Sequence, residues 1–138
     1  VYNIARVDYE YITGMDEKVP LSEFINNIDN ESSTLELYNS ESTKITDLSE
    51  IVKTGQVIKL VINGKIYDEL YIVLKGDLNG DGKINVSDKV ILQDHILLKN
   101  KITDYRKYGM ELIGDDTINV SDNVKLGEYI LKKIKTLN

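Results

Sequence analysis

The sequence predicts an α+β fold. A small mixed α/β module (strand, helix, then three strands) is expected over residues 1–75, joined rigidly to an all-α pair of loop–helix repeats over residues 76–138. Three observations predict it. Residues 1–75 alternate short apolar runs with turn signals. An acidic loop opens at Asp77. From Ile84 onward the chain matches itself at a shift of 34 residues. A length of 138 residues suits one ordinary domain or two small ones.

In the first module, strands are expected at 5–12, 34–38, 57–62 and 65–74. Asn63-Gly64 between the last two is a two-residue hairpin signal. Residues 20–28 read as a helix, because Leu21, Phe24, Ile25 and Ile28 form one apolar stripe and Pro20 suits a helix start. Residues 103–108 read as a second short helix, with Thr103 or Asp104 as its N-cap. No Gly/Ser or Pro linker separates Leu74 from Asp77, so the N-terminal module is expected to pack on the C-terminal one.

Composition narrows the function classes. Asp and Glu outnumber Lys and Arg by 23 to 17, a net charge of −6, which argues against nucleic acid or an anionic membrane as partner. There is no cysteine, which removes disulfides, thiolate metal sites and Cys nucleophiles. The single histidine, His95, excludes a multi-histidine zinc site. No apolar run approaches the roughly 18–20 residues of a membrane span. The start at Val1, without an initiator Met or a signal-like segment, reads as part of a longer precursor or a processed chain.

Residues 76–88 read Gly-Asp-Leu-Asn-Gly-Asp-Gly-Lys-Ile-Asn-Val-Ser-Asp. Asp77, Asn79, Asp81 and Asp88 fall at positions 1, 3, 5 and 12 of an EF-hand-type calcium loop, with Gly82 at the sharp turn of position 6. Lys83 at position 7 offers its backbone carbonyl, and Asn85 at position 9 suits a coordinating water. Three aspartates at one focus repel each other without a cation. Position 12 departs from the usual Glu by one methylene.

The repeat pairs Ile84-Asn85-Val86-Ser87-Asp88 with Ile118-Asn119-Val120-Ser121-Asp122. It continues through Val90/Val124, Leu92/Leu126, Ile96/Ile130 and Leu97/Leu131, a shared apolar set expected to form the core. The second loop is degenerate. It offers Glu111, Asp115, Thr117 and Asp122, but Ile113 stands at position 3 and Asp116 at position 6, so its site is expected to be weak or absent.

This doubled loop–helix unit resembles a dockerin over about residues 76–138, with a degenerate second loop. The preceding α+β module loosely resembles small modules that precede dockerins in bacterial surface proteins. The resemblance implies a dockerin-like EF-hand-type repeat pair, one tight Ca2+ site and a cohesin-like partner. It also implies a secreted or bacterial cell-surface setting tied to cellulosome-like polysaccharide degradation. The family's partner contacts map onto Val86 and Ser87, then Ile91, Asp94, His95 and Leu98. On a helix the last four cluster on one face. Lys125 and Lys132 replace Ile91 and Leu98 in the second repeat, so the first-half pair is expected to cover something. That is either a partner or the N-terminal module.

The leading expectation is a non-catalytic, calcium-dependent docking module that attaches a secreted enzyme or scaffold to an extracellular assembly. The alternative is a calcium-stiffened C-terminal cap or spacer of a large surface protein, with Ile91 and Leu98 buried against residues 1–75. A third reading is carbohydrate binding by tyrosine pairs, Tyr9 with Tyr11 or Tyr67 with Tyr71. Catalysis is not expected, because calcium would occupy the clustered carboxylates and no other nucleophile–base pair is visible.

Overall fold

In the computed structural model, which describes residues 2–28 and 34–138, strands β4 (Val57–Ile62) and β5 (Lys65–Ile72) form a hairpin across Asn63-Gly64. Their φ angles are 52° and 78°, both positive, as a type I′ turn requires. Strand β3 (Thr34–Tyr38) pairs antiparallel with β4. On the other side, β2 (Tyr11–Thr13) runs parallel to β5, and β1 (Asn3–Ala5) pairs antiparallel with β2. The result is one mixed sheet in the order β1-β2-β5-β4-β3.

The single strand expected over 5–12 is therefore a hairpin. No Gly, Pro or Asn marks its reversal at 6–10. Arg6 holds it instead, bonding Glu10 at 2.5 Å and both carboxylate oxygens of Asp68 on β5 at 2.7 Å.

Helix α1 (Leu21–Asn26) lays Leu21 and Phe24, both fully buried, onto the sheet face that carries Ile12, Leu37, Ile58, Leu70 and Ile72. Burying such side chains contributes about 1.5–3 kcal/mol each. The opposite face carries tyrosines. Tyr11 stacks on Tyr108 and Tyr71 on Tyr105, each at 4.3 Å, and Tyr9 meets Tyr71 and Tyr105 edge-on. Tyr105 and Tyr108 belong to a 3-10 turn (Tyr105–Gly109) that Asp104 caps by accepting from the Arg106 N–H.

Two helices follow the sheet, α2 (Val86–Ile96) and α3 (Val120–Ile130). Each starts with the same reciprocal cap. The Asn85 and Asn119 side chains accept from the Ser87 and Ser121 N–H groups, and Asp88 and Asp122 accept from the Asn85 and Asn119 N–H groups. Each ends in a Schellman motif with a left-handed residue, Leu98 at φ 60° and Lys132 at φ 61°.

The expected architecture is corrected by this arrangement. The described residues build a five-stranded mixed sheet with three short α-helices, not an all-α EF-hand-type pair set beside a smaller module. Here Asp77 is entered directly from the sheet, and Glu111 from the 3-10 turn. Nor is the core divided: Leu78, Ile84, Leu92, Met110, Leu112, Leu126 and Leu137 belong to the same buried cluster as Ile12, Phe24 and Ile72. The repeated apolar set also splits. Leu92 and Leu126 are buried, whereas Val90, Val124, Leu97 and Leu131 are exposed.

Candidate metal loops and an exposed apolar face

Loop one is a ring of backbone N–H groups closed around two buried carboxylates. Asp77 Oδ1 accepts from the Gly80 and Asp81 N–H groups at 3.1 and 3.2 Å, and Oδ2 from Gly82 and Thr54, both at 3.0 Å. Asp88 Oδ1 accepts from Leu78 and Asn79 at 2.8 and 3.1 Å, and Oδ2 from Asn85 at 2.9 Å. Asp88 thus closes the loop and caps α2 at once, a double role that its short side chain reaches from the first turn of the helix. Asp81 accepts from the Lys83 N–H at 2.9 Å. One oxygen from each of Asp77, Asp81 and Asp88 lies within 4.8 Å of the other two.

That cluster is electrostatically costly as it stands. Burial pushes the Asp77 carboxyl up to about 6 and raises that of Asp88 as well, despite the N–H donors that favour their ionised forms. Among the described residues, no lysine or arginine forms an ion pair with Asp77, Asp81 or Asp88. An all-oxygen donor set of this charge and spacing fits a hard divalent cation. Asp77, Asn79, Asp81 and Asp88 would supply side-chain oxygens, Lys83 its carbonyl and Asn85 a water.

The turn glycines serve packing as well as the loop. A Cβ at Gly82 (φ 79°) would fall 2.7 Å from Ile51 Cδ1, and one at Gly80 (φ 77°) would fall 2.9 Å from the Thr54 carbonyl oxygen. Thr54 and Ile51 belong to the segment before β4. Neither contact was legible in the sequence, which carries no signal that residues so distant in the chain would wall the loop.

Loop two repeats the internal bonding. Glu111 accepts from Gly114 and Asp115, and Asp122 accepts from Leu112, Ile113 and Asn119. Asp116 takes the left-handed conformation, φ 60°, where loop one has Gly82. Thr117 donates its N–H to Asp115 at 3.1 Å. Glu111, Asp115 and Asp122 bring oxygens within 4.8 Å of one another, but the exposed Ile113 offers no side-chain oxygen.

The six partner-contact residues do not share one helix face. Val86 and Ser87 are exposed at the start of α2. Ile91 packs partly against the core. Asp94 is half-buried and accepts at its carbonyl from the Lys99 N–H. His95 turns inward, its Nδ1 accepting from the Ile102 N–H at 2.9 Å. Burial and nearby Lys101 depress its proton affinity. Leu98 lies beyond the helix end and is 75% exposed.

A different apolar surface is exposed. Val86, Val90 and Leu97 of the first repeat, and Val120, Val124 and Leu131 of the second, are each 51–68% exposed. Ile96, Leu97, Val120 and Val124, with Lys89, Gln93 and Asn123, line a cleft of about 300 Å³. The C-terminal end of α2 therefore faces the N-terminal end of α3, and the helices run antiparallel. Lys89 of α2 bonds Asn123 of α3. The equal spacing of Val90/Val124 and Leu97/Leu131 is visible in the sequence, but it is the same signal a buried face gives.

The tyrosines of the carbohydrate reading are mostly engaged with each other. Tyr11 and Tyr71 stack within the chain, Tyr9 packs edge-on, and Tyr67 is exposed. No helix among the described residues is long and apolar enough to cross a membrane.

No protein-family model matches the chain, and no curated protein matches it. Among solved structures, similarity is found to two from Acetivibrio cellulolyticus. Both are described as the third cohesin ScaC in complex with the ScaB dockerin, displaying a type I interaction, with an IN-to-SI mutation in the N-terminal or the C-terminal helix. The first is 27% identical over 46% of this chain and 90% of the matched one, with a TM-score of 0.44. The second is 28% identical over 45% and 88%, with a TM-score of 0.42. The likeness spans less than half of this chain and assigns neither a family nor a side of the complex.

Proposed function

We propose that the chain is a non-catalytic docking module of the cohesin–dockerin kind. Calcium in loop one fixes the start of α2, and the exposed α2–α3 face meets a cohesin-like partner. The observation that carries the reading is that face. Six large apolar side chains of α2, α3 and their ends (Val86, Val90, Leu97, Val120, Val124 and Leu131) are exposed, and Leu97, Val120 and Val124 line a shallow cleft; Leu98, just past the end of α2, is exposed beside them. Clustered exposed apolar surface of this kind marks interaction sites. Loop one supports the calcium part through its buried carboxylates without a counter-charge. The setting this implies is extracellular, on a bacterial surface, where sites of this class work against abundant calcium. Any catalysis would belong to other parts of a parent protein.

The cap or spacer alternative requires Ile91 and Leu98 to be covered by residues 1–75. Ile91 is half-buried against the common core, and Leu98 is exposed. The reading is tested by titrating a purified cohesin module into the chain in calcium and in EDTA. Saturable binding in calcium that is lost in EDTA and weakened by Leu97→Asp is expected. No binding to any cohesin, or binding to a dockerin instead, would overturn it.

A further inference from the structure

We propose that Glu17 and residues 51–54 form a fixed wall for loop one. The wall holds the loop in its closed shape before a cation arrives and couples cation binding to its own stability. The inference rests on the calcium reading of loop one given above.

Three contacts build the wall. Thr54, 4% exposed, donates its backbone N–H to Asp77 Oδ2 at 3.0 Å. Its own hydroxyl is fixed by the chain entering the loop, accepting from the Leu74 N–H at 2.9 Å and donating to the Leu74 carbonyl at 3.1 Å. Gly80 and Gly82 back onto the Thr54 carbonyl and the Ile51 and Lys53 side chains, leaving no room for a Cβ. Glu17 closes the far side. One of its oxygens accepts from the Ile84 N–H at 2.9 Å and the other from the Tyr129 hydroxyl at 2.8 Å, tying the loop to α3.

Loop two shares the Asp122 bonds and the Glu111 bonds to Gly114 and Asp115, but lacks both this support and the Gly82-type bond to its first carboxylate. A Cβ at Gly114 would meet nothing within 4 Å, and residues 113–117 are exposed. The two loops differ in external wall as well as in ligands. A loop already ordered loses less conformational freedom on binding, so the walled loop binds more tightly. By reciprocity, the cation must stabilise the wall as much as the wall favours the cation.

Amide hydrogen exchange on the full chain tests this, in EDTA and in calcium, with a calcium titration alongside. In EDTA, the Gly82 and Ile84 amides should exchange about 100-fold more slowly than their loop-two counterparts, Asp116 and Ile118. Glu17→Gln should speed exchange at Gly82 and Ile84 in EDTA, leave Ile72 in the sheet unchanged, and weaken calcium binding about tenfold. Tyr129→Phe keeps the charge of Glu17 and removes one of its bonds. It should act in the same direction by roughly threefold, and it carries the test if Glu17→Gln does not fold.

Ile84 exchanging as fast as Ile118 in EDTA would overturn the proposal. So would Glu17→Gln speeding Ile72 equally, because Glu17 would then support the fold in general. A chain that shows no calcium response at all would sink the calcium reading, while the EDTA arm would still judge the wall.

Discussion

Leu98 sits in a conformation that leucine disfavours, and replacing it separates folding from binding. Its φ is 60°, and its N–H bonds the His95 carbonyl at 3.1 Å in the Schellman turn that ends α2. A non-glycine residue in this region costs about 1–2 kcal/mol. With its side chain 75% exposed, Leu98 recovers little of that by burial. Leu98→Gly removes the strain but loosens the unfolded chain, at about 0.4–1 kcal/mol. The net gain is about 0.5–1 kcal/mol. Unfolding entropy near 2.1 cal/mol/K per residue gives roughly 0.3 kcal/mol/K for this length, so Tm should rise by about 2–3 °C. Lys132→Gly, at φ 61° and also exposed, should show the same gain. Calorimetry in saturating calcium measures both. Partner affinity should fall only for Leu98→Gly, by about 1 kcal/mol or more. A Tm lowered by Leu98→Gly would refute the reasoning, because it would mean that Leu98 packs against something.

Other outcomes follow from the same contacts. Leu98→Lys should change stability by less than about 0.5 kcal/mol, because the new charge meets water; a loss of several kcal/mol by denaturant unfolding would place Leu98 under the N-terminal module. Asp88→Ala and Asp122→Ala each leave three N–H groups without their acceptor, and should cost about 2–3 kcal/mol even in EDTA. Equal stability of Asp88→Ala and the parent chain in EDTA would make Asp88 a metal ligand alone. For pH, the folded Asp77 carboxyl at about 6 stands above its ordinary 3.8, so between those values the folded chain holds a proton that the unfolded chain has released. In EDTA this term raises stability as pH falls through that window. In calcium the same acidification lowers Tm, because protons displace the ion. Asp77→Asn in EDTA should remove this term, and a pH dependence of Tm between 7 and 5 unchanged by Asp77→Asn would contradict it.

Some features of this chain are local and legible, and others depend on distant contacts. The loop-one carboxylates meet because alternate residues of a tight turn point inward, a spacing written within residues 77–88. Asn63-Gly64 likewise dictates its own hairpin. The β1–β2 hairpin was missed because Arg6 makes it through Asp68, which lies 62 residues away. The extent of the core was missed for a similar reason: a repeat match does not say which apolar positions turn inward. Leu92 and Leu126 do, and Val90 and Val124 do not. Nothing in Leu97-Leu98-Lys99 marks a stop, so the sequence alone puts Leu98 on a helix face. The helix ends at Ile96 with a leucine where glycine is usual. Glu17 and Thr54 carry no local signature of their role, since both act on a loop more than 20 residues away.

The central claim is that loop one binds calcium and that this binding sustains the docking face. Calorimetric titration of calcium into the chelator-stripped chain, followed by chemical shifts across residues 77–98, tests it most directly. The account predicts one tight site, at most a weaker second one, and shifts that begin at Gly82 and Ile84 and extend into α2. It also predicts that saturation at a thousand times the dissociation constant adds about 4 kcal/mol to stability. Two equal tight sites would contradict the asymmetry between the loops, and no heat and no shifts at millimolar calcium would contradict the claim itself.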